Sequence, residues 1–164
     1  MTWLNLLVFI HVMAAALLVA GIVGRQITRS QAAKTDDLRT FLGLSTLAGR
    51  FENLLVQPGS LVVILVGVVL AVMEGWPVFG FLQGGATNWL LVSNLLILSM
   101  IAEIIFIFVP RGKVYEKVLQ AAVAKGEITP ELQASFNDPV VYWAHRWEEI
   151  AIVLIIFLMV TKPF

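Results

Sequence analysis

The chain has 164 residues, no net charge and no cysteine, with 59% hydrophobic and 13% charged residues, against roughly 45–50% and 25% in an ordinary globular domain. A soluble fold of this size hides only about two thirds of its surface, so the composition excludes a soluble domain, and the zero net charge excludes a general basic field for nucleic acid. Without cysteine there are no disulfides, thiolate metal sites, iron–sulfur clusters or thiol catalysis.

Four apolar stretches, residues 3–23, 54–73, 89–109 and 140–160, organise the chain. At about 20 residues each they can cross about 30 Å of hydrocarbon as helices. Their apolar runs are continuous, unlike the alternating strands of a barrel. The first is too long for a signal peptide and nothing basic precedes it, so it is read as a retained span. Arg25, Arg29, Lys34, Arg39 and Arg50 follow the first stretch. Arg111, Lys113, Lys117, Lys125 and Arg146 follow the third or open the fourth. The loop from Glu74 to Asn88 has no positive residue, and only Lys162 lies at the other end. The positive-inside rule places the basic loops in the cytoplasm and both termini outside. Trp3, Trp76 and Trp89 then mark the outer boundary, and Trp143 and Trp147 the inner one.

Between the first two spans, Thr35 can cap a helix with Asp36 and Asp37 in its first turn. Apolar residues recur at Leu38, Phe41, Leu42, Phe51, Leu54 and Leu55, the spacing of an amphipathic helix lying on the inner surface. Pro58-Gly59 should break or kink the helix at that point. The third loop reads as a short cytoplasmic helical hairpin. Its first arm is 114–124, stopped by Lys125-Gly126, and its second is restarted by Thr129-Pro130 and ended by Asn137-Asp138-Pro139. Small-residue stripes at Ala16, Ala20 and Gly24, and at Gly67, Ala71 and Gly75, predict close helix packing. The expected fold is all-α: one polytopic domain, a four-transmembrane-helix bundle with an inner-surface amphipathic helix.

Polar groups within hydrocarbon are costly and mark candidate sites. His11, mid-way along the first span, could ligate haem or a metal, or relay a proton, or simply bond a neighbouring helix. Glu103 lies in the third span with Ser99 one turn before it. A carboxyl group there must be protonated or paired. The fourth span opens with His145-Arg146-Trp147-Glu148-Glu149, and Arg50 and Glu52 precede the second. Measured from the inner boundaries, Glu103 and His145 lie about 9 and 8 Å deep at about 1.5 Å per residue. The expectation is therefore an inner-leaflet cluster of Glu103, His145, Arg146, Glu148, Glu149, Arg50 and Glu52, in which Glu103 meets Arg146 or, failing that, Arg50 or His145. His11 lies about 18 Å deep on the same rise, a level that does not suit a shared haem with His145.

FIHVMAAALLVAGIVGR in the first span, QPGSLVVILVGVVLAVMEGW in the second, NWLLVSNLL in the third, the ITPEL of the loop and the terminal FLMVTKPF together resemble a family of bacterial integral membrane proteins, domain of unknown function 2269. That resemblance implies a four-helix architecture in the bacterial inner membrane and no established activity. His11 followed by Gly21 is also similar to the first span of HemJ-type protoporphyrinogen oxidases and copper-resistance D proteins. This second likeness implies haem on His11, but the late-span lysine of the HemJ type has no counterpart except Lys162 at the outer end. Three functions remain open: a non-enzymatic accessory or scaffold protein, a haem or metal protein through His11, and a proton or small-ion transporter using Glu103 and the inner charged turn. The partners expected are the lipid bilayer and a homo-oligomer or larger membrane complex.

Overall fold

A computed structural model describes residues 2–84 and 88–163. The described residues hold no strand and are mostly helical. We label the helices α1 (Trp3–Ala32), α2 (Leu38–Met73), α3 (Trp89–Lys125), α4 (Pro130–Phe136) and α5 (Pro139–Thr161). α1, α2 and α3 are long and apolar enough to cross a membrane. The fourth expected span, α5, is 23 residues long but carries Arg146, Glu148 and Glu149 in its first half, so its uninterrupted apolar run is only residues 150–160.

The break expected at Pro58-Gly59 is absent, and a second proline is passed in the same way. α2 passes through Pro58 and α3 through Pro110 without stopping. A proline inside an α-helix removes one hydrogen bond, and its ring collides with the carbonyl four residues back. In both helices a π turn lies just before the proline: Glu52–Val56 in α2 and Ile104–Phe108 in α3. There the residue preceding the proline bonds five residues back, Gln57 N–H to Glu52 C=O and Val109 N–H to Ile104 C=O. Such wide turns occur mostly as single insertions in α-helices. The expected surface helix and the first hairpin arm are therefore extensions of α2 and α3.

At about 1.5 Å per residue these helices are about 45–55 Å long and overshoot a roughly 30 Å hydrocarbon core. The overshoot is all at the basic end. There Ala32, Phe41, Ala122, Leu132 and Phe136 form a separate buried core with Leu44, Tyr115, Val118, Leu119 and Ile128 packed around it. The apolar face of the 38–51 segment is thus used within the chain, where Phe41 packs edge-on against Phe136. Thr129 caps α4 by accepting from Leu132 N–H, and Gly126 ends α3 in the left-handed region at φ 77°, as expected. The α2 cap is Asp37, two residues after the expected Thr35, and it accepts from Thr40 N–H.

α1 and α2 pack antiparallel. Gly24 meets Phe51, Gly21 meets Leu55 and Val56, Gly59 meets Ala14 and Leu18, and Gly67 meets His11. The packed stripe of α1 is Ala14, Leu18, Gly21, Arg25, Thr28 and Ala32, a 4-3 spacing that replaces the expected Ala16–Ala20–Gly24 stripe, whose Ala16 and Ala20 are exposed. On α2, Gly67 and Ala71 do face neighbours, while Gly75 lies beyond the helix end at φ 68°. α3 and α5 form the second antiparallel pair. The Asp138 cap of α5 accepts from Arg111 of α3. Burial pushes its carboxyl pKa up, but the Val140 N–H and the Arg111 guanidinium outweigh this and hold it below the usual carboxylate range. At the opposite end Lys162 stacks its ammonium 4.0 Å from Trp76 and 5.5 Å from Trp89. Trp89 is only 4% exposed, so it serves the core with Ala71, Leu90 and Leu158 rather than a lipid-facing belt.

The glycine seam generates a prediction. A Cβ on Gly21 would lie 2.7 Å from Leu55 Cβ, and one on Gly24 would lie 2.6 Å from the Phe51 ring, whereas Gly43 has open space. Gly21→Ala should destabilise the detergent-purified protein by about 1–3 kcal/mol, the usual cost of overpacking. Gly43→Ala should stabilise it by up to about 1 kcal/mol through helix propensity. Thermal unfolding of the two variants checks the sign of each.

Candidate functional site

The most buried charge in the structure, among the described residues, is Arg25, 7% exposed. It sits on the packed stripe of α1 and donates through Nη1 to Glu52 in the π turn of α2 and through Nη2 to Glu148 of α5. One guanidinium thus joins both helix pairs, and its planar fork suits two carboxylates at once. Glu148 in turn faces His145, whose Nδ1 lies 3.4 Å from the carboxylate. The His145 ring stacks on Phe108 of the α3 π turn, with centroids 4.7 Å apart.

Of the residues expected to cluster, Glu52, Glu148 and His145 do come together, and Arg25 is the cation that gathers them. The others do not join. Arg146 points outward, donating to Glu149 at 2.6 Å and to Tyr142 at 3.4 Å. Among the described residues, Arg50 has no carboxylate within 4.0 Å. Glu103 meets none of its expected partners, and its Oε2 is buried without a hydrogen bond. The physical reason is helical phase. Glu148 lies on the face of α5 that meets α1, and Arg146, two residues away, is turned to the other face. The neighbouring Trp147 uses its indole N–H to bond Ser99 at 3.0 Å.

In the sequence Arg25 reads only as a loop charge, because it follows the first apolar stretch. The missed signal is its place in the seam. It continues the 4-3 repeat of Ala14, Leu18 and Gly21, so a helix running past the apolar stretch has to turn the arginine inward.

Around this node the two helix pairs enclose a cavity of about 780 Å³. Its walls are apolar along most of their length, with Leu18, Val63, Ile97, Ile101 and Ile155 among them, while Arg25, Arg29, Glu52, His145 and Glu148 lie toward the basic end. The Ala71–Trp89–Leu158 layer packs at one end and the Ala32–Phe136 core at the other. α1 and α5 touch directly where Ile152 packs on Leu18, Ile22 and Val56. α2 and α3 line the cavity from opposite sides without packing closely on each other.

His11 is outside this cavity. A Cβ on Gly67 would lie only 3.0 Å from its Cε1, so the ring rests directly on α2, and its Nδ1 is buried without a side-chain partner. Among the described residues no three histidine and carboxylate side chains are grouped as metal ligands.

The chain belongs to the predicted integral membrane protein family, domain of unknown function 2269, whose model matches residues 5–163. No curated protein and no solved structure matches it.

Removing one side of a buried ion pair strands the other charge and costs about 3–5 kcal/mol. Arg25→Gln strands two carboxylates and should therefore destabilise the protein more than either Glu52→Gln or Glu148→Gln. Adding Glu148→Gln to Arg25→Gln should recover part of the loss. A double-mutant cycle on the melting transition measures this, and strictly additive losses would contradict the bridge.

Proposed function

We propose that this protein is a non-enzymatic component of the bacterial inner membrane, crossing it four times with both termini outside, and that it holds a membrane amphiphile in the cavity between its two helix pairs. The cavity is the observation that carries the binding role. Its volume falls in the range of small-molecule sites, about 300–1,000 Å³, and its apolar length leads to a charged end. Packed layers close both ends, which favours binding over conduction. The loose α2–α3 seam offers a side entrance for a lipid-like molecule.

A fourth crossing is supported by how α5 is pinned. Its first turn is tied to Arg111 and its last residues to Trp89, and these two points on α3 are 22 residues apart. At about 1.5 Å per residue this is about 33 Å, close to the thickness of the hydrocarbon core. If that length of α3 lies in the membrane, α5 lies beside it. The orientation rests on the basic residues gathered at one end.

Two experiments test the reading. Single cysteines at Gln83 and Lys125 have no background in this cysteine-free chain. An impermeant thiol reagent added to intact cells should label the first and spare the second, and labelling of Lys125→Cys would reverse the orientation. For the cavity, native mass spectrometry of the protein extracted from its own membrane should show one retained amphiphile per chain. Met100→Trp, which fills the cavity from α3, should release it. Wild-type protein with no adduct would remove the binding role.

A further inference from the structure

Among the described residues, each charged group lining the cavity has a charged partner except one. Arg25 is taken by Glu52 and Glu148, and Arg111 by Asp138. Arg29, one turn further along α1, has no carboxylate within 4.0 Å among the described residues. Its guanidinium lies over the Phe136 ring, 4.7 Å from the centroid, and it lines the basic end of the cavity. A guanidinium cannot shed its charge at any accessible pH, and an aromatic face compensates it only weakly.

Three other groups share that end. His145 has Nδ1 turned to Glu148. Among the described residues its Nε2 has no hydrogen-bond partner, and the residue lines the cavity. Ser45 Oγ and Tyr115 Oη are both buried and lie close enough to interact with each other. Arg29, Ser45, Tyr115 and His145 all line the same cavity. Here a fixed cation, an imidazole and a pair of facing hydroxyls line the charged end of an otherwise apolar chamber.

We infer that the bound amphiphile carries an oxyanion head group, phosphate or carboxylate, seated between Arg29 and His145, with its hydrocarbon tail running toward Val63, Ile97 and Ile155. This rests on the cavity-binding reading above and specifies its ligand. An oxyanion only accepts hydrogen bonds, so it can take the Arg29 fork together with the one hydroxyl proton that a Ser45–Tyr115 pair leaves free. His145 donates to the same group only when its ring takes up a proton, a state that an adjacent oxyanion favours. A quaternary ammonium head would meet Arg29 as a like charge. An uncharged alcohol would leave most of the donors unused.

The test uses the full chain in maltoside micelles with four probes: dodecyl phosphate, dodecyltrimethylammonium and dodecanol at equal mole fraction, and inorganic phosphate alone. Occupancy is read by native mass spectrometry. The expected result is a one-to-one dodecyl phosphate adduct favoured about tenfold or more over dodecanol, the factor a charge-assisted hydrogen bond supplies, with no ammonium adduct and none with inorganic phosphate. Arg29→Gln should erase the preference for phosphate and leave dodecanol occupancy as it was. Arg29→Lys should keep part of the preference, and Lys113→Gln, outside the cavity, all of it. Equal occupancy by all three alkyl probes would overturn the head-group assignment while leaving the cavity reading intact. No adduct with any alkyl probe would defeat both. Binding of inorganic phosphate as tight as the dodecyl ester would overturn the amphiphile and leave a free-anion site.

Discussion

The bridge from Arg25 to Glu52 and Glu148 is the constraint on which the arrangement depends. α1 and α2 form one closely packed unit and α3 and α5 the other, and the bridge is the charged tie between them. The apolar layers at either end align the pairs, but such layers are non-directional and tolerate sliding. A guanidinium with two carboxylates on different helices is directional. It fixes both the height and the rotation of α5 against α1. Its own cost is high, since desolvated charges regain their hydration only through good geometry. The seam supplies that geometry: Gly21 and Gly24 let α2 come close enough for Glu52 to reach.

The π turns belong to the same logic. Pro58 and Pro110 each sit just after a wide turn, and each wide turn carries part of the site: Glu52 in one and Phe108, the stacking partner of His145, in the other. A proline that would break an α-helix is accommodated by relaxing the preceding turn. The long helices therefore continue without a gap into the basic end, where they enclose the cavity.

Much of this is legible in the residues, and the failures share one cause. Apolar length locates α1, α2 and α3, and local chemistry locates the Thr129-Pro130 start, the Gly126 stop and the Asn137-Asp138-Pro139 boundary. These depend on a few neighbouring residues. Pro58 reads as a break because the rule for prolines is local too, while the compensating π turn is held by tertiary packing. Arg25 and Trp89 read as solvent and lipid contacts from their place at the ends of apolar runs. Both are buried because helices continue past those runs and pack on each other. Arg146 looks a better buried cation than Arg25 because depth along one helix is readable, whereas the rotation of two helices about each other is not.

α5 shows how the charged bridge and the membrane are linked. A charged residue near the middle of an isolated spanning helix costs about 2.5–3.5 kcal/mol, and an apolar one returns only about 0.3–0.6 kcal/mol. With Arg146, Glu148 and Glu149 against the apolar run of residues 150–160, α5 alone is a poor candidate for insertion. Two features change the balance. Arg146 and Glu149 neutralise each other along one turn, which any isolated helix can do. Glu148 has no such local partner except His145, and its strong partner is on α1, 123 residues earlier. On the four-crossing proposal, α5 is therefore a conditional span. Its place in hydrocarbon depends on α1 and α2 being already assembled with Arg25 facing inward. The same residue that sets the geometry of the cavity would then also decide whether the last helix of the chain enters the membrane beside it.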